Sequence, residues 1–287
     1  MESLTITLGE HVFDALAAGP ADGDLVLLLH GYPEFADCWT EELAALGAAG
    51  YRAVAVDQRG YSPGARPTSI SDYAVDNLVA DALGFADAVL SERGRAGRFH
   101  LVTHDWGGIV GWALAGAHSD RLKSFTVLAT PHPQALHAAI ASDEDQFNRV
   151  NYVRFFRAQV GGAEQGLLAD DAARLRGAYG GRISAELVES NVKRFSEPGT
   201  LTAALSWYRA VATDDLNIPC GRVSAPTLYI WGSEDVALGR LAAESTKDWV
   251  DGPYQFVELP GASHWLPEES ADKVIPLLLE HLAAHRG

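Results

Sequence analysis

The sequence predicts an α/β fold built on a mostly parallel central sheet flanked by helices. Two observations carry this. Short, continuous, β-prone apolar runs recur along the chain, as in strands covered on both faces, and helix-period segments lie between them. A third observation sets the size. The 287 residues are 47% apolar and 21% charged, which fits a globular chain with a sizeable core.

The elements follow in order. Residues 4–16, with a turn at Gly9-Glu10, read as an antiparallel hairpin on the sheet edge. The run at 25–29 stops at His30-Gly31, and a helix is expected at 39–48. The run at 53–56 stops at Asp57 and precedes a helix at 73–92. The run at 99–102 stops at Thr103-His104 and precedes a helix at 107–118. Residues 125–128 form the next strand and end at Ala129-Thr130-Pro131. The alternation then lapses. Between 131 and 220 only helical candidates are found, at 144–159, 168–178, 185–195 and 200–212, separated by glycine-bearing breaks. Strands resume at 227–231 and 254–257, with helices at 238–249 and 270–285. The expected organisation is therefore a core of 1–130 and 221–287, with a helical cap inserted at 131–220.

Charge separates these two parts. The whole chain carries 22 basic and 38 acidic residues, a net −16. The 131–220 stretch holds 9 basic and 11 acidic residues, a net −2, so −14 belongs to the remainder. Such acidity disfavours nucleic acid and anionic membrane surfaces as partners. Two cysteines, Cys38 and Cys220, are too few for a disulfide framework and fit a reducing compartment. No signal peptide is read at the N-terminus. The apolar runs fall short of the ~20 residues of a membrane span, so the expected location is cytoplasmic.

In open parallel sheets, ligands bind beyond the carboxyl ends of the strands. His104-Asp105-Trp106-Gly107-Gly108 lies at such an end and opens an apolar helix. A strand-to-helix turn this tight exposes its central side chain, as in a nucleophile elbow. The central residue here is Asp105, and the chain contains no G-x-S-x-G. A carboxylate can attack carbon and form an ester; the plainer reading is a helix cap. Asp235 and His264 follow the next two strands. Nucleophile, acid and histidine then stand in the chain order of a hydrolase triad. Glu234 is the neighbouring alternative for the acid, and Thr130 is not a carboxylate. His30-Gly31-Tyr32-Pro33 forms a supporting loop. In it Gly31 permits close approach and the Tyr32 N–H pairs with that of Trp106 to make an oxyanion hole. Residues 57–62 read as structural support. His281 and His285 are read as tail residues without a metal role, and both cysteines as inert.

These motifs resemble the α/β-hydrolase superfamily, in its branch with an aspartate nucleophile, over nearly the whole chain. That branch holds epoxide hydrolases and haloalkane dehalogenases. Thr103 departs from the pattern, which usually has a smaller residue there, and a slightly relaxed turn is expected. The resemblance to epoxide hydrolases implies two cap tyrosines that hold the epoxide oxygen. Tyr152-Val153-Arg154-Phe155-Phe156 and Ser206-Trp207-Tyr208-Arg209 match their motifs. Tyr152 and Tyr208 are thereby implied as donors, for which a phenol is suited. Dehalogenases commonly place Asn where this chain has Tyr32. Fluoroacetate-type enzymes place arginines where Trp106 and Ile109 stand. The expected activity is thus opening of a small apolar epoxide by water, with haloalkane dehalogenation as the alternative and a non-catalytic receptor as a further one. No cofactor and no metal are implied. A homodimer is left open.

Overall fold

The computed structural model describes residues 1–91, 97–211 and 216–286. The expected helix ends at 92 and 212, and position 287, lie outside them. Eight strands form one sheet in the order β1-β2-β4-β3-β5-β6-β7-β8. In chain order they are β1 (Glu2–Leu8), β2 (His11–Ala18), β3 (Leu25–Leu29), β4 (Arg52–Val56), β5 (Phe99–His104), β6 (Leu122–Leu128), β7 (Thr227–Gly232) and β8 (Tyr254–Leu259).

β1 and β2 are the expected edge hairpin, with Leu8 opposite His11 across the Gly9-Glu10 turn. β1–β2 and β2–β4 pair antiparallel, and the remaining pairings are parallel. Every residue of β3, β4 and β5 is buried. That is why these strands read as unbroken apolar runs. The helices α1 (Thr40–Ala48), α2 (Val75–Ser91) and α3 (Trp106–His118) follow β3, β4 and β5 in turn. α2 packs on α3, whereas α1 packs on the last helix, α12 (Ala271–Ala284). The sheet is therefore covered on both faces. The chain leaves β3 toward β4 on one side and toward β5 on the other, which creates a switch point between β3 and β5.

Between β6 and β7, which are paired neighbours, the described chain is helical. It holds α4 (Pro133–Ser142), α5 (Glu144–Arg149), α6 (Tyr152–Phe156), α7 (Gly162–Ala178), α8 (Ala185–Phe195) and α9 (Thr200–Ala210). Three details differ from expectation. α4 was not read from the sequence; Pro133 occupies its first turn and the His132 ring accepts the Gln134 N–H at 3.2 Å. The single helix expected at 144–159 is two short ones. At the join, Asn151 N–H bonds Asn148 O at 3.3 Å and Val153 N–H bonds Val150 O at 3.0 Å, so the chain tightens to i→i+3 bonding around buried Val150. α7 begins earlier than expected and breaks where Asp170, Asp171 and Ala172 adopt φ of 51°, 57° and 57°.

After β7, the helix expected at 238–249 is α10 (Arg240–Ser245) followed by a 3₁₀ turn, and a short α11 (Leu266–Glu269) precedes α12. The C-terminal histidines are also corrected. His281 is buried, and burial pulls it down to about 4, so it is a core residue rather than an exposed one. No helix among the described residues is long and apolar enough to cross a membrane.

One core carboxyl has a measurable consequence. Glu42 in α1 is fully buried with neither oxygen hydrogen-bonded, and burial pushes it up to about 8 from its ordinary 4.5. Its folded pKa is raised, so the folded state holds the extra proton and stability falls as pH rises between those values. The slope is roughly 1.4 kcal/mol per pH unit. Glu42→Gln is expected to flatten the decline of Tm between pH 5 and pH 8; an unchanged Tm–pH profile would show that Glu42 is solvated.

Candidate active site

Asp105 stands between β5 and α3 with φ 47° and ψ −120°, a conformation costly for a residue bearing a Cβ. Small neighbours make the turn fit. A Cβ on Gly31 would lie 2.2 Å from that of Asp105, and one on Gly107 would lie 2.2 Å from the Leu29 carbonyl oxygen. Thr103 does not relax the turn. Its methyl group is accommodated because Gly111 faces it, where a Cβ would approach to 2.8 Å. Thr130 fastens the elbow from the end of β6, its hydroxyl donating to Asp105 O at 2.8 Å.

The Asp105 carboxylate does not cap α3. Its Oδ1 accepts the Tyr32 N–H at 2.7 Å, and its Oδ2 lies 3.3 Å from His264 Nε2. His264 Nδ1 donates to Asp235 Oδ2 at 2.8 Å. The other oxygen of Asp235 accepts the N–H groups of Ala237 and Leu238, both at 2.8 Å, which locks the carboxylate in place. Asp235 is therefore both the loop-capping residue and the partner of His264. Glu234, the alternative acid, points away and pairs with Arg182 at 2.6 Å on the surface. Burial opposes charge on His264, but Asp235 and Asp105 outweigh it and hold its pKa well above the usual value. Both carboxylates thus favour the protonated imidazole.

The β3 loop supplies the other wall. His30 Nδ1 donates to Gly31 O at 2.8 Å, which leaves Nε2 to accept the Gln58 N–H at 3.3 Å. Burial lowers its pKa, in keeping with a neutral ring. The Tyr32–Pro33 peptide is cis. The loop at 57–62 supports this one. Gln58 bonds His30 O at 2.7 Å, Asp57 accepts the Ala36 N–H at 2.7 Å, and the Arg59 carbonyl accepts the Trp207 indole N–H at 2.8 Å. Trp106 opens α3, where backbone N–H groups lack intrahelical partners.

Tyr152 at the start of α6 and Tyr208 in α9 are brought together. Their ring centroids are 6.3 Å apart in an edge-to-face contact. Arg157 fixes α9 by donating to Tyr208 O at 2.9 Å, and Arg209 grips Glu164 of α7 with two bonds of 2.8 and 3.0 Å. Burial raises both phenols, and the charge of Asp105 adds to it, so both remain protonated donors. A cavity of about 340 Å³ is lined by Asp105, His264, Tyr152, Tyr208 and Tyr32, with a largely apolar remainder. The expected side chains Asp105, His264, Tyr152 and Tyr208 thus line one space, with Asp235 behind His264.

Some contributors were not anticipated. The Tyr32 ring packs 5.6 Å from Tyr208, so Tyr32 offers a phenol as well as an amide. His104, the residue before Asp105, bridges Glu34 at 2.7 Å and the His264 carbonyl at 2.8 Å. Burial opposes charge on Glu34, yet His104 holds it down at about 2. Arg149 reaches the Asp235 carbonyl. The adjacency of Glu34 to His30–Pro33 and of His104 to Asp105 was the only signal in the sequence. Cys38 and Cys220 are free, and burial raises both thiols, Cys220 to about 12. They are unreactive on that account.

Comparison with known proteins agrees with this geometry. The α/β hydrolase fold family model matches residues 24–271. An α/β-hydrolase superfamily protein of Bacillus subtilis, YfhM, is 34% identical over 272 residues, covering 93% of this chain and 92% of that protein. Epoxide hydrolase A of Mycobacterium tuberculosis is 31% identical over 304 residues, with 92% of each chain covered. Among solved structures, an epoxide hydrolase from hot-environment metagenomes superposes with a TM-score of 0.86 at 27% identity, covering 99% of both chains. Epoxide hydrolase A of Mycobacterium thermoresistibile gives 0.83 at 27% identity over 98% of both. The chain therefore belongs to the α/β-hydrolase-fold family, and its relatives within that family include epoxide hydrolases in both sequence and structure.

Proposed function

We propose that the chain hydrolyses epoxides to vicinal diols through a covalent ester on Asp105, with residues 131–220 acting as a cap over the core of 1–130 and 221–287. The observation that carries this reading is the pair of neighbouring phenols, Tyr152 and Tyr208, that line the same cavity as Asp105 and His264, with Asp235 behind His264.

The steps follow from the contacts. Tyr32 N–H holds Oδ1, leaving Oδ2 to attack a ring carbon. The carbon–oxygen bond of the ring breaks, and the released oxygen takes a proton from Tyr152 or Tyr208. Negative charge has then left Asp105. His264 loses one of the two anions that held its proton, so its pKa falls; that proton passes to the tyrosinate, which restores the phenol and leaves His264 a neutral base. Water gives a proton to His264 Nε2 and attacks Cγ of the ester. The Tyr32 amide, with that of Trp106, stabilises the charge on Oδ1. Collapse breaks the Cγ–Oδ2 bond, the departing oxygen takes the proton of the newly added hydroxyl, and the diol leaves with the Asp105 carboxylate and the protonated His264 restored. The reaction proposed needs only the substrate and water.

Incubation with styrene oxide is expected to give the diol, and a single turnover in ¹⁸O-water is expected to label Asp105 rather than the product. Halide release from bromoalkanes without diol formation would replace this reading with a dehalogenase. Label found only in the diol would eliminate the ester.

A further inference from the structure

The space around Asp105 is lopsided. On the Trp265 side lies the cavity of about 340 Å³, within the range of small-molecule pockets. On the Trp106 side lies a second space of about 30 Å³, closed by Ile109, Leu136, Leu216, Ile218 and Leu238. A single water occupies roughly 10–15 Å³ on this measure, so the smaller space admits one or two waters or a short alkyl group. Both spaces are bounded by Asp105, Tyr152 and Tyr208. An epoxide held by the phenols therefore has a long arm on one side only.

The large cavity has one guanidinium in its wall. Arg174 is exposed and also lines the cavity, which puts it at the mouth, and its guanidinium lies 5.5 Å from the centre of the Phe155 ring. Leu175 and Ala178 line the same wall, so residues 174 and 178 share a face of the second segment of α7. Neighbouring arginines are engaged elsewhere. Arg176 pairs with Glu189 and Asp171, and Arg182 with Glu234 and Glu269. Arg174 makes no ion pair among the described residues. Apart from Arg174, Asp105 and His264, the lining side chains are uncharged. An apolar tunnel with an anion at its floor and a free cation at its mouth suits a substrate with the opposite arrangement.

We propose that the preferred substrate is an epoxide carrying a carboxylate at the far end of one long apolar substituent and no more than a short alkyl group on the other ring carbon. This rests on the epoxide hydrolase reading above. Three probes separate the parts: an ω-epoxyalkanoate, its methyl ester, and the isomer with the ring at mid-chain. KM for the ω-epoxyalkanoate is expected to be about three- to fivefold below that of the ester, the size of an exposed ion pair. High salt should erase this difference, and so should Arg174→Gln. The mid-chain isomer is expected to have kcat/KM lower by about tenfold or more, since the small space cannot take a second long arm. Equal KM for acid and ester, or a difference that persists in Arg174→Gln, overturns the role of Arg174. Equal turnover of the mid-chain isomer overturns the lopsided fit. If neither the ester nor styrene oxide is hydrolysed, the epoxide hydrolase reading itself fails.

Discussion

His264→Gln is expected to stop the cycle at the ester, with turnover reduced by about 10³-fold or more and the alkylated protein accumulating to one adduct per chain. The reason lies in which oxygen does what. In the proposed mechanism, attack on the epoxide uses Oδ2 of Asp105 and the phenols, none of which His264 must deprotonate. Release of the diol needs a base that takes a proton from water, and among the described residues only His264 Nε2 faces Asp105 Oδ2. Glutamine keeps hydrogen-bonding capacity toward Asp235, whose carboxylate is buried, but it cannot accept that proton at neutral pH. Intact-protein mass after brief exposure to substrate reads the outcome directly. An unmodified mass alongside lost activity would mean that His264 is needed before the ester forms.

The second large effect concerns the phenols. Tyr152→Phe together with Tyr208→Phe is expected to lower the rate of ester formation by about 10³-fold, and each single change by only about tenfold. Both phenols line the same space beside Asp105, so either can serve when the other is missing, and the double change exceeds the sum of singles in free energy. Removing both leaves the departing oxygen as a bare alkoxide in an apolar cavity, which is the costly case. Rapid-mixing measurement of adduct formation checks this, ideally in the His264→Gln background where the adduct persists. A double variant that alkylates within tenfold of the parent would remove the tyrosines from the mechanism.

The elements that were legible in the sequence are those whose cause is local. The unbroken runs at β3, β4 and β5 report strands buried on both faces, and His104–Gly108 reports a turn that only small residues permit. Asp235 and His264 could be found because each sits just past a recognisable strand. The cap was less legible because its helices take their ends from distant contacts. The break between α5 and α6 accompanies Arg149 anchoring on Asp235, 86 residues away, and Val150 entering the core. The left-handed stretch at 170–172 has no glycine to announce it; aspartate tolerates that region better than most residues, but Ala172 does not advertise it. Likewise, the Glu34–His104 bond joins β3 and β5 loops that only the sheet order makes neighbours.

In the reaction proposed above, the unequal treatment of the two Asp105 oxygens gives the cycle a memory. Oδ1, tethered by the Tyr32 amide, would stay with the protein, while the oxygen at the Oδ2 position would leave in the diol and be replaced from water. Each product molecule then carries an atom that entered as solvent during the preceding cycle, and the first product carries one that was built into the chain at synthesis. However many cycles pass, the isotopic composition of solvent is inherited through a single position of a single side chain.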